Sequence, residues 1–307
     1  GGTDFAGFTV TSGTVNLQND VSTSGITVDG GSTLDVGSNT VSLSGGVTVS
    51  NGKIQGGSAG LLDFVAGGAN GLRAAGQTIT NVAVSNGVEL IVQNQSEGSP
   101  LAINGNLSVD GSSIFTLGSV AGDVDVKGSV TNNGTLSLST SDDGDLTVTG
   151  SLTNNGTFTA NQNEVAINGS GSSQTISGSF DGDNAFFDLT IDNPDNASLN
   201  DATTVENVLD LVSGELTTGG NLTLTSERTS GNGSRDAAIV NNGGSLNSTA
   251  GDRAQRFISE GSDFNSGADD VGDPSNDEIG DDAGYRLLSH PFAGTITADE
   301  LTRISNG

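Results

Sequence analysis

The side chains best suited to chemistry in this chain are carboxylates, and they gather in three clusters. Residues 141–145 read SDDGD, and Asp181 and Asp183 flank Gly182; both read as short acidic corners. The third cluster holds Asp269, Asp270, Asp273, Asn276, Asp277, Glu278, Asp281 and Asp282, with Gly272 and Gly280 as bends and no Lys or Arg among them. Calcium takes about six to eight oxygen ligands from carboxylates, amides and backbone carbonyls. Asp269, Asp270, Asp273, Asp277 and Asp281 are the candidate metal ligands. The spacing is neither that of an EF-hand nor that of the GGxGxD nonapeptide repeat. Two readings stay open: a Ca2+-bound loop that braces the stroke 285–292, or a solvated acidic excursion.

The other ingredients of catalysis are thin. His290 is the one histidine and there is no cysteine, so neither a Cys–His zinc site nor a thiol nucleophile can be assembled. A hydrolytic triad needs His with Ser and an acid. Ser and Asp are so frequent here that their co-occurrence with His290 says nothing. Lyases acting on acidic sugars need cations, and the chain has 9 Lys and Arg against 37 Asp and Glu. Glycosidases need two carboxylates in a cleft, usually with sugar-stacking aromatics. One Tyr and no Trp supply little of that surface. The expectation is a non-enzyme with no catalytic or cofactor-binding residue. A carbohydrate-active enzyme, either polysaccharide lyase or glycoside hydrolase, is the alternative.

The elements that would position these groups are written in a repeat. Residues 128–135 read GSVTNNGT and residues 150–157 read GSLTNNGT, 22 positions apart; residues 239–246, IVNNGGSL, are a weaker echo. Around them run apolar-x-apolar strokes: Phe8/Val10, Val15/Leu17, Ile26/Val28, Leu34/Val36, Val41/Leu43 and Val47/Val49, then Leu101/Ile103, Val124/Val126 and Leu146/Val148. Side chains at i and i+2 share a strand face, and Gly or Asn corners separate the strokes. A period near 20 residues built this way marks a solenoid, in which each coil buries its inner face only against its neighbours. Phe8 should stack on Ile26, Val15 on Leu34, and Ile26 on Val47. Asn132 should stack on Asn154, and Asn133 on Asn155, as a structural ladder. Residues 205–212 read as strand rather than helix, ending in a tight turn at Gly214. The expected fold is an all-β, right-handed parallel β-helix of roughly a dozen coils. Residues 1–255 are expected to form the solenoid. Residues 256–307 would be an irregular terminal coil or the start of a further module, carrying the acidic loop.

Composition fits this design. Only 32% of residues are hydrophobic, yet their strict alternation argues for order, and a solenoid core is a thin column. The net charge of −28 disfavours nucleic acid and anionic membranes as partners. No apolar run is long enough to span a bilayer as a helix. Gly1 and the absence of Met lead us to expect a trimmed or processed stretch of something longer.

Four phrases carry a resemblance: FFDLTIDN from Phe186, TVENVLDLVSGELTTGGNLTLTS from Thr204, QRFIS from Gln255 and GYRLLSHPF from Gly284. Over residues 186–292 the chain resembles large secreted β-solenoid, adhesin-like surface proteins of Bacteroidota, commonly exported by the type nine secretion system. The resemblance implies an extracellular or cell-surface location on a Gram-negative bacterium and brings no catalytic residue; the C-terminal sorting domain of such proteins is not in this sequence. The expected role is structural or adhesive: a stiff stalk, fibre or filament segment. Expected partners are flanking modules or further subunits at the solenoid ends, and surface glycans. Solenoid ends expose strand edges that invite such pairing.

Overall fold

The computed structural model describes residues 3–93, 99–118, 122–141, 144–225, 227–228, 234–235, 237–248, 252–258, 284–288 and 294–296. Short strands wind into a parallel β-solenoid of about ten turns with three sheets as its faces. The first face runs from Thr3–Phe5 to Gly294–Ile296 and holds 13 strands. The second, Phe8–Val10 to Thr157–Thr159, holds 8, and the third, Thr14–Asn16 to Gly284–Leu288, holds 14. Among the described residues the one helical element is a 3-10 turn at Gly182–Asn184.

The register follows the alternating strokes. Phe8 lies beside Ile26, Val15 beside Leu34, and Ile26 beside Val47. Leu101, Val124 and Leu146 succeed one another on the third face. Val124, Val126, Leu136, Leu146, Val148 and Phe158 all point inward and are buried. A single apolar column of such residues runs up the axis. The outward residue between an inward pair is mostly polar, as with Thr27, Ser42 and Asp125, Ile91 and Ala102 being exceptions, which is why so low an apolar content suffices.

The repeated NNGT phrase has a steric cause. A Cβ on Gly156 would lie 2.1 Å from the carbonyl oxygen of Gly134 in the turn below. Two turns at strand spacing, about 4.8 Å, leave no room there for a side chain.

From Phe186 onward the turns change shape. The second face has ended, and Phe186–Asp192 and Thr203–Ser213 are long strands on the third face. Thr203–Ser213 is one 11-residue strand, followed by Gly214 at φ 70°. It is flanked by Leu222–Thr225 along its first part and Ala238–Asn241 along its second. At the far end the pairing changes sense. Gly284–Leu288 runs antiparallel to Arg253–Ile258, and Gly294–Ile296 antiparallel to Ser245–Ser248.

Candidate functional site

The candidate calcium ligands Asp269, Asp270, Asp273, Asp277 and Asp281, and His290, lie outside the described residues. The strand pairing does fix the base of the acidic segment, because Ile258 and Gly284 face each other across an antiparallel ladder. Of the first acidic cluster, Asp145 is described. It lies at the corner between the second and third faces of one turn, where its Oδ1 accepts the Glu164 N–H at 2.7 Å. Asp181 precedes the 3-10 turn and accepts from the Ser179 hydroxyl at 3.1 Å.

The structure brings the paired asparagines together. Asn132 Nδ2 donates to Asn154 Oδ1 at 2.7 Å and to the Thr157 carbonyl at 2.8 Å, with both residues buried. Asn155 Nδ2 donates to Asn133 Oδ1 at 3.0 Å on the exposed side of the same corner. The inner ladder stops there, because the next position in register is Gly178. Asn154 Nδ2 instead donates to the Ser179 carbonyl at 2.5 Å. These bonds satisfy corner backbone groups that two stacked turns would otherwise bury unpaired.

One grouping escapes a reading by local spacing. On the outside of the third face, Glu164 aligns with Asp188, and Thr190 with Asp210, one turn apart in each case. Glu164 is half-buried, and that burial raises its pKa above the usual carboxylate value. A hydrogen bond from Thr190 opposes the shift, while the charges of Asp145, Asp188 and Asp210 add to it. The neighbouring carboxylates are held by neutral donors. Asp188 Oδ1 accepts from Asn207 Nδ2 at 2.7 Å and from the Val208 N–H at 2.9 Å. Asp210 accepts from Asn242 Nδ2 at 2.9 and 3.0 Å, and Asp192 from the Ser213 hydroxyl at 2.7 Å. These acids are rungs between turns. Among the described residues no three His, Cys, Asp or Glu are grouped so as to hold a metal ion.

Two of the depressions among the described residues bear on function. One, of about 500 Å³, follows the outer second face near the N-terminal end, where Gly7, Gly25, Gly46 and Gly71 lower the corner and Thr27 and Arg73 line it. The other, of about 330 Å³, lies at the step where the second face stops. Asp183, Glu206, Phe187, Asn161 and Gln162 line it. Asn161 and Gln162 hold successive left-handed conformations, φ 52° and 70°, which cost a non-glycine residue conformational energy. It joins two carboxylates and one ring, the elementary parts of a sugar-binding surface.

Among the described residues no helix is long and apolar enough to cross a membrane. Comparison with protein-family models, curated proteins and solved structures finds no match.

Proposed function

We propose that this chain is a stalk segment of an extracellular surface protein, with a structural or adhesive role on a Gram-negative bacterium. The supporting observation is the continuity of the ladders along the axis. Parallel strands pair turn upon turn on each face, so pulling along the rod loads the hydrogen bonds of successive turns together. The interior is filled by one apolar column, and buried Asn corners lock turn to turn. Such an object transmits force and resists proteases, and holds whatever it carries at a fixed distance. The acidic surface keeps it from binding other anionic surfaces and from collapsing onto its own cell. The resemblance of residues 186–292 to secreted adhesin-like solenoids supports the location.

Electron microscopy of negatively stained particles and limited proteolysis test this reading. Rods about 50 Å long, from about ten turns stacked at about 4.8 Å each, and survival of the segment 3–225 are expected. Compact spheres, or rapid cutting throughout that segment, would overturn it.

A carbohydrate-active enzyme is the second reading, and the step depression with Asp183, Glu206 and Phe187 is what favours it. Turnover on a panel of neutral and anionic polysaccharides, abolished by Asp183→Asn or Glu206→Gln, would establish it in place of the stalk.

A further inference from the structure

We propose that Asn104 and Asn168 are sites at which this chain modifies itself by deamidation, and that the first asparagine of each Asn-Asn-Gly phrase guards the second from the same reaction. The inference goes beyond the stalk reading and does not depend on it. Asn-Gly occurs eight times among the described residues. Such a pair carries its own nucleophile, because glycine has no Cβ to shield the backbone nitrogen that follows the amide. That nitrogen gives up its proton and attacks the asparagine Cγ. A new C–N bond closes a cyclic imide as the Cγ–Nδ2 bond breaks, and ammonia leaves with the proton. Solvent water then opens the ring at either carbonyl, giving aspartate or isoaspartate.

Attack needs the nitrogen aimed at Cγ at close range, and an acceptor that holds the glycine N–H aims it elsewhere. The Asn-Asn-Gly phrases supply that acceptor themselves. The Gly134 N–H donates to Asn132 Oδ1 at 3.1 Å, the Gly156 N–H to Asn154 Oδ1 at 3.4 Å and the Gly243 N–H to Asn241 Oδ1 at 2.9 Å. The outer asparagines Asn133, Asn155 and Asn242 are thereby protected by their inner neighbours. At two other corners the acceptor comes from the next turn. The Gly52 N–H donates to Gln77 Oε1 at 3.2 Å, guarding Asn51, and the Gly87 N–H to Ser113 Oγ at 3.1 Å, guarding Asn86. Asn70 and Gly71 sit inside the paired strand Ala69–Arg73.

Asn104 and Asn168 have no such guard. They share one corner column between the third and first faces, because Ile103, Val126, Val148 and Ile167 succeed one another in register. In that column the Gly128 N–H donates to the Gly105 carbonyl and the Gly150 N–H to the Gly128 carbonyl, both at 2.8 Å. Gly105 begins the series, and its own N–H has no acceptor among the described residues. The series breaks at Gly169, where Gln174 Nε2 donates to the Gly150 carbonyl in its place. The Gly169 N–H also has no acceptor among the described residues. Asn104 and Asn168 are both exposed, so ammonia can leave and water can enter. Asn104 should lead, because Gly105 is half-buried whereas Gly169 is buried. Each event adds a negative charge to a net charge of −28, and an isoaspartate also adds a backbone atom to a corner stacked turn on turn.

Peptide mass spectrometry of the whole folded chain, kept in warm, mildly alkaline buffer, reads conversion at each pair. Asn104 should convert fastest and Asn168 next. Asn133, Asn155 and Asn242 should be slower by about fivefold or more, the factor that one ordinary hydrogen bond supplies. The chain unfolded in urea should convert all the pairs at similar rates. Gln77→Ala, on the turn beyond the pair it guards, should speed conversion at Asn51 by about fivefold with unchanged far-UV circular dichroism. Gln77→Glu keeps the accepting oxygen and should not. Should Gln77→Ala disturb the fold, Asn241→Ala against Asn241→Asp puts the same question to Asn242. Equal rates at all pairs of the folded chain would overturn the proposal, as would Asn133 or Asn155 converting first. So would an alanine variant that behaves like the acid variant, or an unfolded chain that keeps the folded order.

Discussion

Between Phe8 and Thr159 the apolar column is wrapped by three faces; beyond Phe186 it is wrapped by two. In the first region strands are mostly three or four residues long, as in Val124–Val126 and Ile114–Leu117. In the second, Phe186–Asp192 has seven and Thr203–Ser213 has eleven. The same kind of core can thus be enclosed by three short sides or by two, one of which is lengthened while the first face keeps short strands such as Ala197–Leu199 and Glu215–Thr217. The change needs a filler where the third side disappears. Phe158, on the last strand of the second face, meets Phe180 and Phe186 with ring centroids 5.5 and 5.4 Å away. Phe180 and Phe186 stack at 4.4 Å. All three are fully buried. The 3-10 turn completes the junction on the backbone side, where Asn184 Oδ1 accepts the Phe158 N–H at 2.8 Å and blunts the strand edge.

If the phenylalanine plug is what joins the two regions, Phe180→Ala should be more damaging than any single change at a corner or on the outer surface. Truncating a buried Phe to Ala costs about 3–5 kcal/mol. Urea unfolding followed by amide exchange should show protection lost first between residues 152 and 192, with the early turns still protected. Uniform loss along the chain would mean that the two regions unfold as one body and that the distinction has no energetic content.

Gly178 is the next place to press. It stands where the inner asparagine ladder ends, at φ 88°, and a Cβ there would fall 2.0 Å from the Asn154 carbonyl oxygen. Gly178→Ala should cost about 1–3 kcal/mol from backbone strain alone. It should lower the urea midpoint more than an alanine at Gly13, which shares a positive φ but has no atom within 4 Å of the added Cβ. Equal effects at the two sites would show that conformation, not stacking, sets the requirement.

A smaller loss is expected from the ladder itself. Asn154→Ala removes buried amide bonds at 2.7 and 2.5 Å and should cost about 1–3 kcal/mol. Asn155→Ala, at the exposed neighbour, should stay within about 0.5 kcal/mol. Chemical denaturation of the two variants side by side decides whether burial separates the ladders.

Legibility in the sequence follows the same divide. The three-faced turns could be read because each inward position is announced by its own neighbour at i+2, as with Val124 and Val126 or Leu146 and Val148. The end of the second face could not, because it depends on Phe158, Phe180 and Phe186 meeting in space, and their spacing of 22 and 6 residues has no local signature. The antiparallel closure by Gly284–Leu288 and Gly294–Ile296 was equally hidden: a stroke shows that a strand exists but not which way it runs against its partner. The asparagine pairs were legible from the repeat. The carboxylates around Glu164 were not, since they come from turns of unequal length, and Glu164, Asp188 and Asp210 recur at no fixed interval.

Those carboxylates supply the finest contrast, one of sign. Early in the three-faced region Asp35 is partly exposed, and its pKa is lowered. Gln55 Nε2 donates to Oδ2 at 2.7 Å and the Gly37 N–H to Oδ1 at 2.8 Å, with Lys53 adding a weaker attraction. Its contribution to stability is present above the ordinary Asp value, about 3.9, and fades as pH falls through the lowered one. Glu164, beside the junction, is shifted the other way by burial and then by the like charges of Asp145, Asp188 and Asp210. The folded state holds its proton more tightly than the unfolded state does. Stability from this group is therefore present below the ordinary Glu value, about 4.3, and is lost as pH rises through the raised one. Glu164→Gln should accordingly be more stable than the parent chain at neutral pH, with the difference closing in acid. Asp35→Asn should be slightly less stable at neutral pH, again with the difference closing in acid. Urea midpoints across the acidic range test both at once. If the two variants shift in the same direction, the outer carboxylates near the junction are not under the mutual repulsion that their one-turn stacking implies.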